Sequence, residues 1–142
     1  MGALSSANGA VTRAKLANDA LYSPVVIAYA GKNIAASDLG KTYVAGWTSA
    51  GSNLTWTLDK TISASLPVGF EMAFCEPWVN DHVKLSVGGV RAITMGSGQF
   101  TTTSTTKTVT ISERGGMFAI KKLYTDATNG DVWLLTGPVE IA

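Results

Sequence analysis

Residues 54–58 read LTWTL, and this short stretch decides the fold class. Apolar and threonine side chains alternate along it, which is the two-residue period of a strand with one buried face. The same alternation recurs in GFEMAFCEPW at 69–78 and in VKLSV at 83–87. Together these stretches predict β-strands that each bury one face.

Further strands are predicted on both sides of this region. They fall at 25–30, 41–47, 90–95, 99–112, 117–125 and 132–137. Turn residues separate them at intervals of about 8–12 residues, a spacing typical of β-sandwiches and jelly rolls. Because no crossover helices lie between the strands, a parallel sheet is disfavoured. We predict one all-β, β-sandwich or jelly-roll-like domain at 24–142, with one short helical turn within 59–67.

The first 23 residues have a different character. Residues 1–9 are small and polar and are predicted to be flexible. Residues 11–21 carry a helical pattern that Pro24 ends. A helix this short is marginal in water on its own, because isolated helices need roughly 12–15 residues. We therefore expect residues 1–23 to be an N-terminal arm, helical or extended, that docks on another surface.

Composition and charge exclude several classes of function. The formal net charge is +1, so no strong field would attract nucleic acid or an anionic membrane. No apolar run approaches the ~20 residues of a membrane span, and the N-terminus lacks the pattern of a secretory signal. A chain with only 15% charged residues is expected to cover some apolar surface with another chain. We expect synthesis in a cytoplasm.

The single cysteine and the scattered titratable residues predict neither a cofactor nor a metal. Cys75 excludes an internal disulfide and is expected to be a buried, inert thiol. His82 lies on a predicted turn without a nucleophile elbow nearby. Glu71 and Glu76 fall on opposite faces of one strand, and the aspartates of 126–131 flank a hairpin tip. We predict no catalytic residues and no enzymatic activity.

The four tryptophans divide into two groups. Trp56 and Trp133 fall on inward-facing positions and are expected in the core. Trp47 and Trp78 stand at strand ends beside loops. There they could pack in the core, contact another subunit or stack on a sugar ring, and the residues leave these alternatives open.

The stretch GAVTRAKLANDA at 9–20 resembles the G-x-V-T-x-A-K-L-A segment of bacteriophage tail-fibre and head-fibre proteins. Residues 54–137 resemble, more loosely, the small β domain that follows that segment in those proteins. The resemblance implies a homotrimer and a virion component, and it brings no catalytic residues. The chain carries neither a shaft nor repeats, which favours a short, self-contained component.

On this resemblance we expect a capsid decoration protein, of the cement or head-fibre kind, on the capsid surface of the virion. Its N-terminal arm would bind the major capsid protein and stabilise the shell. Arg13 and Lys15 would meet acidic groups of the shell. The residues expected to anchor the arm are Val11, Arg13, Lys15, Leu16 and Leu21.

The alternative is a receptor-binding knob at the tip of a tail fibre. In that case Trp47, Trp78 and the loops at 48–53 and 126–131 would contact a host glycan or protein. The two functions differ in copy number, since a decoration protein is present in hundreds of copies and a fibre tip in a handful.

Overall fold

The computed structural model describes residues 24–46, 54–77, 83–95 and 100–142. These residues form strands together with one 3₁₀ turn at Ala36–Asp38 and one helix, α1, at Lys60–Ser65. The strands are β1 (Val25–Ala28), β2 (Thr42–Ala45), β3 (Leu54–Leu58), β4 (Glu71–Cys75), β5 (Val83–Val87), β6 (Arg91–Thr94), β7 (Lys107–Ile111), β8 (Met117–Tyr124), β9 (Val132–Thr136) and β10 (Val139–Ile141).

The strands form two mixed sheets. One sheet has six strands in the order β1-β2-β4-β8-β9-β6, and the other has four in the order β10-β7-β5-β3. The all-β, single-domain prediction is confirmed. The predicted helical turn is also confirmed, as α1, whose N-cap Asp59 accepts a hydrogen bond from the backbone N–H of Ile62 at 2.8 Å.

Parallel pairing is more extensive than the sequence predicted. The absence of crossover helices disfavoured a parallel sheet, and neither sheet is wholly parallel, but the pairs β1–β2, β2–β4, β3–β5 and β6–β9 are. The physical reason is that a crossover needs an intervening element but not a helix. Between β2 and β4 the chain crosses to the opposite sheet as β3, and between β3 and β5 it crosses back as β4. In these two connections a strand of the opposite sheet takes the place of a crossover helix.

The first crossing occurs at residues 31–34, between β1 and β2. Here the chain reaches the edge of β3, where Ile34 donates to the carbonyl of Thr57 and Thr57 donates to the carbonyl of Lys32. Gly31 passes so close to Thr55 that a Cβ on it would lie 1.9 Å from the Thr55 carbonyl oxygen. Only glycine allows this approach.

The core lies between the two sheets and is rich in aromatic rings. Trp56 contacts Tyr43 and Phe74 with ring centroids 5.6 and 5.1 Å apart, and Phe74 stacks on Phe118 at 4.8 Å. Trp133 is fully buried as well. The core positions predicted for the two inward-facing tryptophans are confirmed, and their packing holds both sheets in one body.

The predicted hairpin at 126–131 is also present, between β8 and β9. Asp126 closes it by accepting hydrogen bonds from the backbone N–H groups of Thr128 and Asn129. Gly130 follows with a φ of 95°, a conformation that favours glycine. The Thr-rich stretch predicted at 99–112 contributes one strand, β7, and a single bridge from Phe100 to β6.

Candidate functional site

The two sheets turn faces of opposite character away from the core. Along the four-stranded sheet, every outward side chain is threonine, serine, lysine or glutamate. These residues, the polar outer face, are Thr55, Thr57, Lys84, Ser86, Thr108, Thr110 and Glu140. A threonine-rich face of this kind is well suited to contact with water.

The six-stranded sheet presents the contrary pattern. Its outward side chains are mostly apolar, although Thr42, Glu71, Arg91, Lys121 and Thr136 also lie on this side. This surface, the apolar outer face, consists of Val25, Ile27, Val44, Ala73, Cys75, Ile93, Met117, Ala119 and Leu134. Antiparallel or mixed sheets with one solvated face normally show polar residues there. The apolar outer face is therefore the most unusual surface in the described part of the chain.

Strand register aligns its residues in rows. Ile27 pairs with Val44, Val44 with Cys75, and Cys75 with Met117, which makes an unbroken apolar row across four strands. The two ends of this row are the most open to solvent, since Ile27 is 61% and Met117 54% exposed. Large exposed apolar patches mark interaction sites more often than ordinary surface.

Charge on this face is sparse and balanced. Glu71 and Lys121 are directly opposite each other on neighbouring strands, with Lys121 Nζ 4.0 Å from Glu71 Oε2. Arg91 lies at the far edge and is bound to Asp126 at 2.8 Å and to the carbonyl of Gly130 at 3.0 Å. The face thus has no net field that would select a strongly charged partner.

Strand β1 leaves one edge of the six-stranded sheet open. The carbonyls of Pro24 and Ala28 accept hydrogen bonds from Thr42 and Gly46, so these two residues face β2. Backbone direction alternates along a strand, and the N–H and C=O groups of Val25 and Ile27 consequently point to the other side. Among the described residues, no strand pairs with that side. An apolar strand with an open edge is a template for strand addition.

A buried polar network lies inside the sandwich, where the sequence predicted only turn residues. Lys122 directs its ammonium at the carbonyl oxygens of Ser63 (2.7 Å) and Leu66 (2.9 Å) and at Asp131 Oδ2 (3.2 Å). The Ser63 hydroxyl donates to Asp131 at 2.6 Å and accepts from the Trp133 indole N–H at 2.8 Å. The ammonium group of Lys122 thus has three partners. Two of them are carbonyls at the end of α1, so Lys122 holds this helix against the sheet.

The charge of Asp131 is held by this network. Burial tends to raise its pKa, but hydrogen bonds from Ser63, from the backbone N–H of Asp126 and from Lys122 outweigh burial, so the pKa lies below its usual value. A buried carboxylate that stays ionised beside a buried lysine is a structural ion pair.

A second network surrounds Asp38, in the 3₁₀ turn. Its carboxylate accepts from the Tyr43 hydroxyl, from Lys32 at 2.8 Å and from the backbone N–H of Ala35 at 2.9 Å. Burial would raise the pKa of Asp38, but the bonds from Lys32, Tyr43 and Ala35 lower it further than burial raises it. For Tyr43, burial first and the hydrogen bond to Asp38 second raise the pKa to about 12.

Cys75 differs from expectation in where its side chain points, whereas the neighbouring Glu76 does not. Cys75 is half-buried on the apolar outer face and is not a core thiol, and burial together with the nearby Glu76 charge raises its pKa. Glu76 is fully buried and accepts from the backbone N–H of Val83 at 2.6 Å. Its Oε1, like the Trp56 indole N–H, has no hydrogen-bond partner within the described ranges. The opposite orientations predicted for Glu71 and Glu76 are confirmed.

The predicted anchoring residues lie outside the described residues, and so does the whole arm at 1–23. They are Val11, Arg13, Lys15, Leu16 and Leu21. Trp47, Trp78 and His82, with the loop at 48–53, also lie outside the described ranges. The structure therefore neither brings these residues together nor separates them.

Three further observations on the described residues concern metal ions, a groove and membranes. They contain no group of three or more His, Cys, Asp or Glu that could hold a metal ion. A groove of about 360 Å³ lies beside the 3₁₀ turn, and Leu39, Lys41, Thr42, Glu71 and Met72 are among the residues that line it. No helix in the described ranges is long and apolar enough to cross a membrane.

Sequence reasoning could have found the apolar outer face but did not. Strand parity already placed Ala73 and Cys75 opposite the core side of β4, and the same parity applied to 117–121 would have added Met117 and Ala119. What parity could not supply was the order of the strands, which makes these side chains neighbours.

The chain matches no protein-family model, and no curated protein is significantly similar to it.

Proposed function

We propose that this chain is a bacteriophage virion structural protein. In this proposal it is a capsid decoration protein, of the cement or head-fibre kind, that assembles as a homotrimer and binds the major capsid protein through its N-terminal arm. It is made in the bacterial cytoplasm and acts on the capsid surface. The observation that carries the proposal is the contrast between the apolar and polar outer faces of one small sandwich.

This contrast suits a protein that acts by covering surface. A decoration protein stabilises a shell by adding buried area at many sites, and its effect grows by mass action with the number of bound copies. One apolar side can then lie against protein while a threonine-rich side lies against water. The buried Lys122–Asp131 pair contributes to the rigidity of such a body and is not directed at a ligand.

The arm supplies the capsid contact in this proposal. Its support is the likeness of residues 9–20 to the segment that precedes small β domains in phage fibre proteins. Val11, Leu16 and Leu21 provide apolar contact, and Arg13 with Lys15 provides charge for acidic groups of the shell. A segment of this length gains order from a partner, because alone it is too short to be stable.

Binding of the full-length protein to purified capsids tests the proposal. A variant with Leu16→Asp and Leu21→Asp should fail to sediment with capsids, while Lys84→Glu on the polar outer face should sediment like the wild type. Circular dichroism checks that both variants are folded. If the arm variant coats capsids as well as the wild type does, the arm is not the anchor.

Copy number separates this function from the alternative. Quantitative electrophoresis of purified virions should show hundreds of copies of a decoration protein. A handful of copies, with binding of the isolated protein to host cells, would identify a receptor-binding knob. Substitutions of Trp47 and Trp78 would then weaken cell binding, since exposed tryptophans stack on sugar rings.

A further inference from the structure

We infer that the apolar outer face is the surface through which copies of this chain contact one another. The inference deepens the proposed function, on whose assembled form it rests, by naming the contact surface. The occupant is another copy of the chain in the proposed trimer, whose own apolar outer face packs against this one.

The sandwich itself provides the internal comparison. Both sheets are built in one chain under the same composition, yet the outward positions of one carry only polar residues while those of the other are mostly apolar, interrupted by Thr42, Glu71, Arg91, Lys121 and Thr136. Random exposure of apolar residues would divide them more evenly between the two faces. The apolar outer face is therefore expected to be covered in the working protein.

The charges on this face favour a copy of the same chain over a strongly charged partner. Glu71 and Lys121 are adjacent, opposite in sign and about half exposed. When two such faces meet, each carboxylate can pair with the lysine of the other copy. A nucleic acid would leave Glu71 unpaired and would find no cluster of basic residues on this face.

The size of the face sets a further condition. Six strands spaced about 4.8 Å apart, with two or three outward residues each, cover roughly 400 Å². A stable contact buries about 800 Å² on each partner. A contact confined to this face is smaller than that, so we expect the association to be weak and to require a high protein concentration.

Cys75 gives a probe on the face without any mutation. In the full-length wild type, mass from sedimentation velocity should exceed the monomer at high concentration. Maleimide labelling of Cys75 should be slower by about tenfold or more when nine in ten copies are associated, and should accelerate on dilution. The raised pKa of the thiol slows labelling equally at every concentration, so only association explains the concentration dependence.

Two substitutions and one control locate the surface. Ala119→Glu and Ile27→Lys introduce charge on the apolar outer face, where the monomer can solvate it, and should give monomers with fast labelling at all concentrations. Thr110→Glu makes the matched change on the polar outer face and should associate like the wild type. Near-ultraviolet circular dichroism confirms that each variant is folded.

Several results would overturn the inference. A wild type that is monomeric at the highest concentration reached excludes the second copy as occupant, even if Cys75 becomes protected on capsids. Face variants that associate as the control does place the contact elsewhere. If protection of Cys75 is independent of concentration and is lost in the Leu16→Asp, Leu21→Asp variant, the chain's own N-terminal segment covers the face. Self-association without capsid binding would instead reject the proposed function and leave this inference standing.

Discussion

The ammonium of Lys122 lies 3.2 Å from the carboxylate of Asp131, and both side chains are buried between the sheets. Lys122 is on β8 and Asp131 lies just before β9, so the pair spans the base of the C-terminal hairpin. The ammonium also holds the carbonyls of Ser63 and Leu66, the last turn of α1. One lysine thus connects the hairpin, the helix and the sheet.

Removing this lysine should be costly. Lys122→Met leaves Asp131 buried without its counter-ion and two carbonyls without donors, and we expect a loss of about 3–5 kcal/mol in the free energy of unfolding. Urea denaturation of the full-length protein measures it. The matched control is the neighbouring Lys121→Met, which removes an exposed pair with Glu71 and should change stability by about 0.5 kcal/mol or less. Equal losses for the two variants would show that the buried pair has no structural role.

Acid should destabilise the protein partly through Asp38. Its pKa in the folded state lies below the usual value, so the unfolded chain binds a proton more readily. The stability that Asp38 contributes is therefore present above pH ~4 and is lost as the pH falls through and below that value. Asp38→Asn should flatten the decline of the urea midpoint below pH ~4. A decline as steep as in the wild type would mean that Asp38 is not ionised in the fold.

High pH should also destabilise the protein, through Tyr43. Its pKa is raised to about 12, above the ordinary value of ~10, so the folded state keeps the phenolic proton longer than the unfolded chain. The stability from Tyr43 is intact below pH ~10 and declines as the pH rises toward 12. Absorbance of tyrosinate should show one late-titrating tyrosine, absent in Tyr43→Phe. If that variant titrates like the wild type, another tyrosine is the shielded one.

Gly137, between β9 and β10, should be intolerant of a side chain. It has a φ of 121°, and a Cβ would lie 2.3 Å from the carbonyl oxygen of Met117. Gly40 also has a positive φ, but nothing lies within 4 Å of its added Cβ. Gly40→Ala should cost about 1–2 kcal/mol, the penalty of the backbone conformation alone, and Gly137→Ala clearly more. Thermal unfolding compares them, and similar costs would show that the turn yields easily.

Local patterns were enough to locate most strands, and they failed where neighbours had to be identified. LTWTL and VKLSV alternate because each buries one side, and that alternation correctly placed Trp56 inward. The same pattern is silent on direction, because parallel and antiparallel partners bury the same residues. The parallel pair β3–β5 depends on β4 crossing between them in the other sheet, which is a property of the whole chain.

The sequence also predicts the direction of single side chains on the candidate surface and in the buried network, but not which distant residues become their neighbours. Parity shows that Lys121 and Lys122 point to opposite sides, and the structure agrees, with Lys122 buried. Nothing in the local sequence pairs Lys122 with Ser63, 59 residues away, since that contact forms only when α1 closes over the hairpin. Likewise, Ile27, Val44 and Cys75 are separated in the sequence and form one row only after the strand order is known.

The strand order β4-β8-β9-β6 affects how the protein can fold during its synthesis on the ribosome. The hairpin of β8 and β9 is synthesised late, yet it takes the middle of the six-stranded sheet and separates β4 from β6. Until β8 and β9 emerge, the strands β1-β2-β4 and β6 are not joined in one sheet. Their exposed apolar sides can then associate wrongly with other chains. We expect nascent chains that stop before residue 117 to be protease-sensitive and chaperone-bound, because they lack the two strands that join β4 to β6.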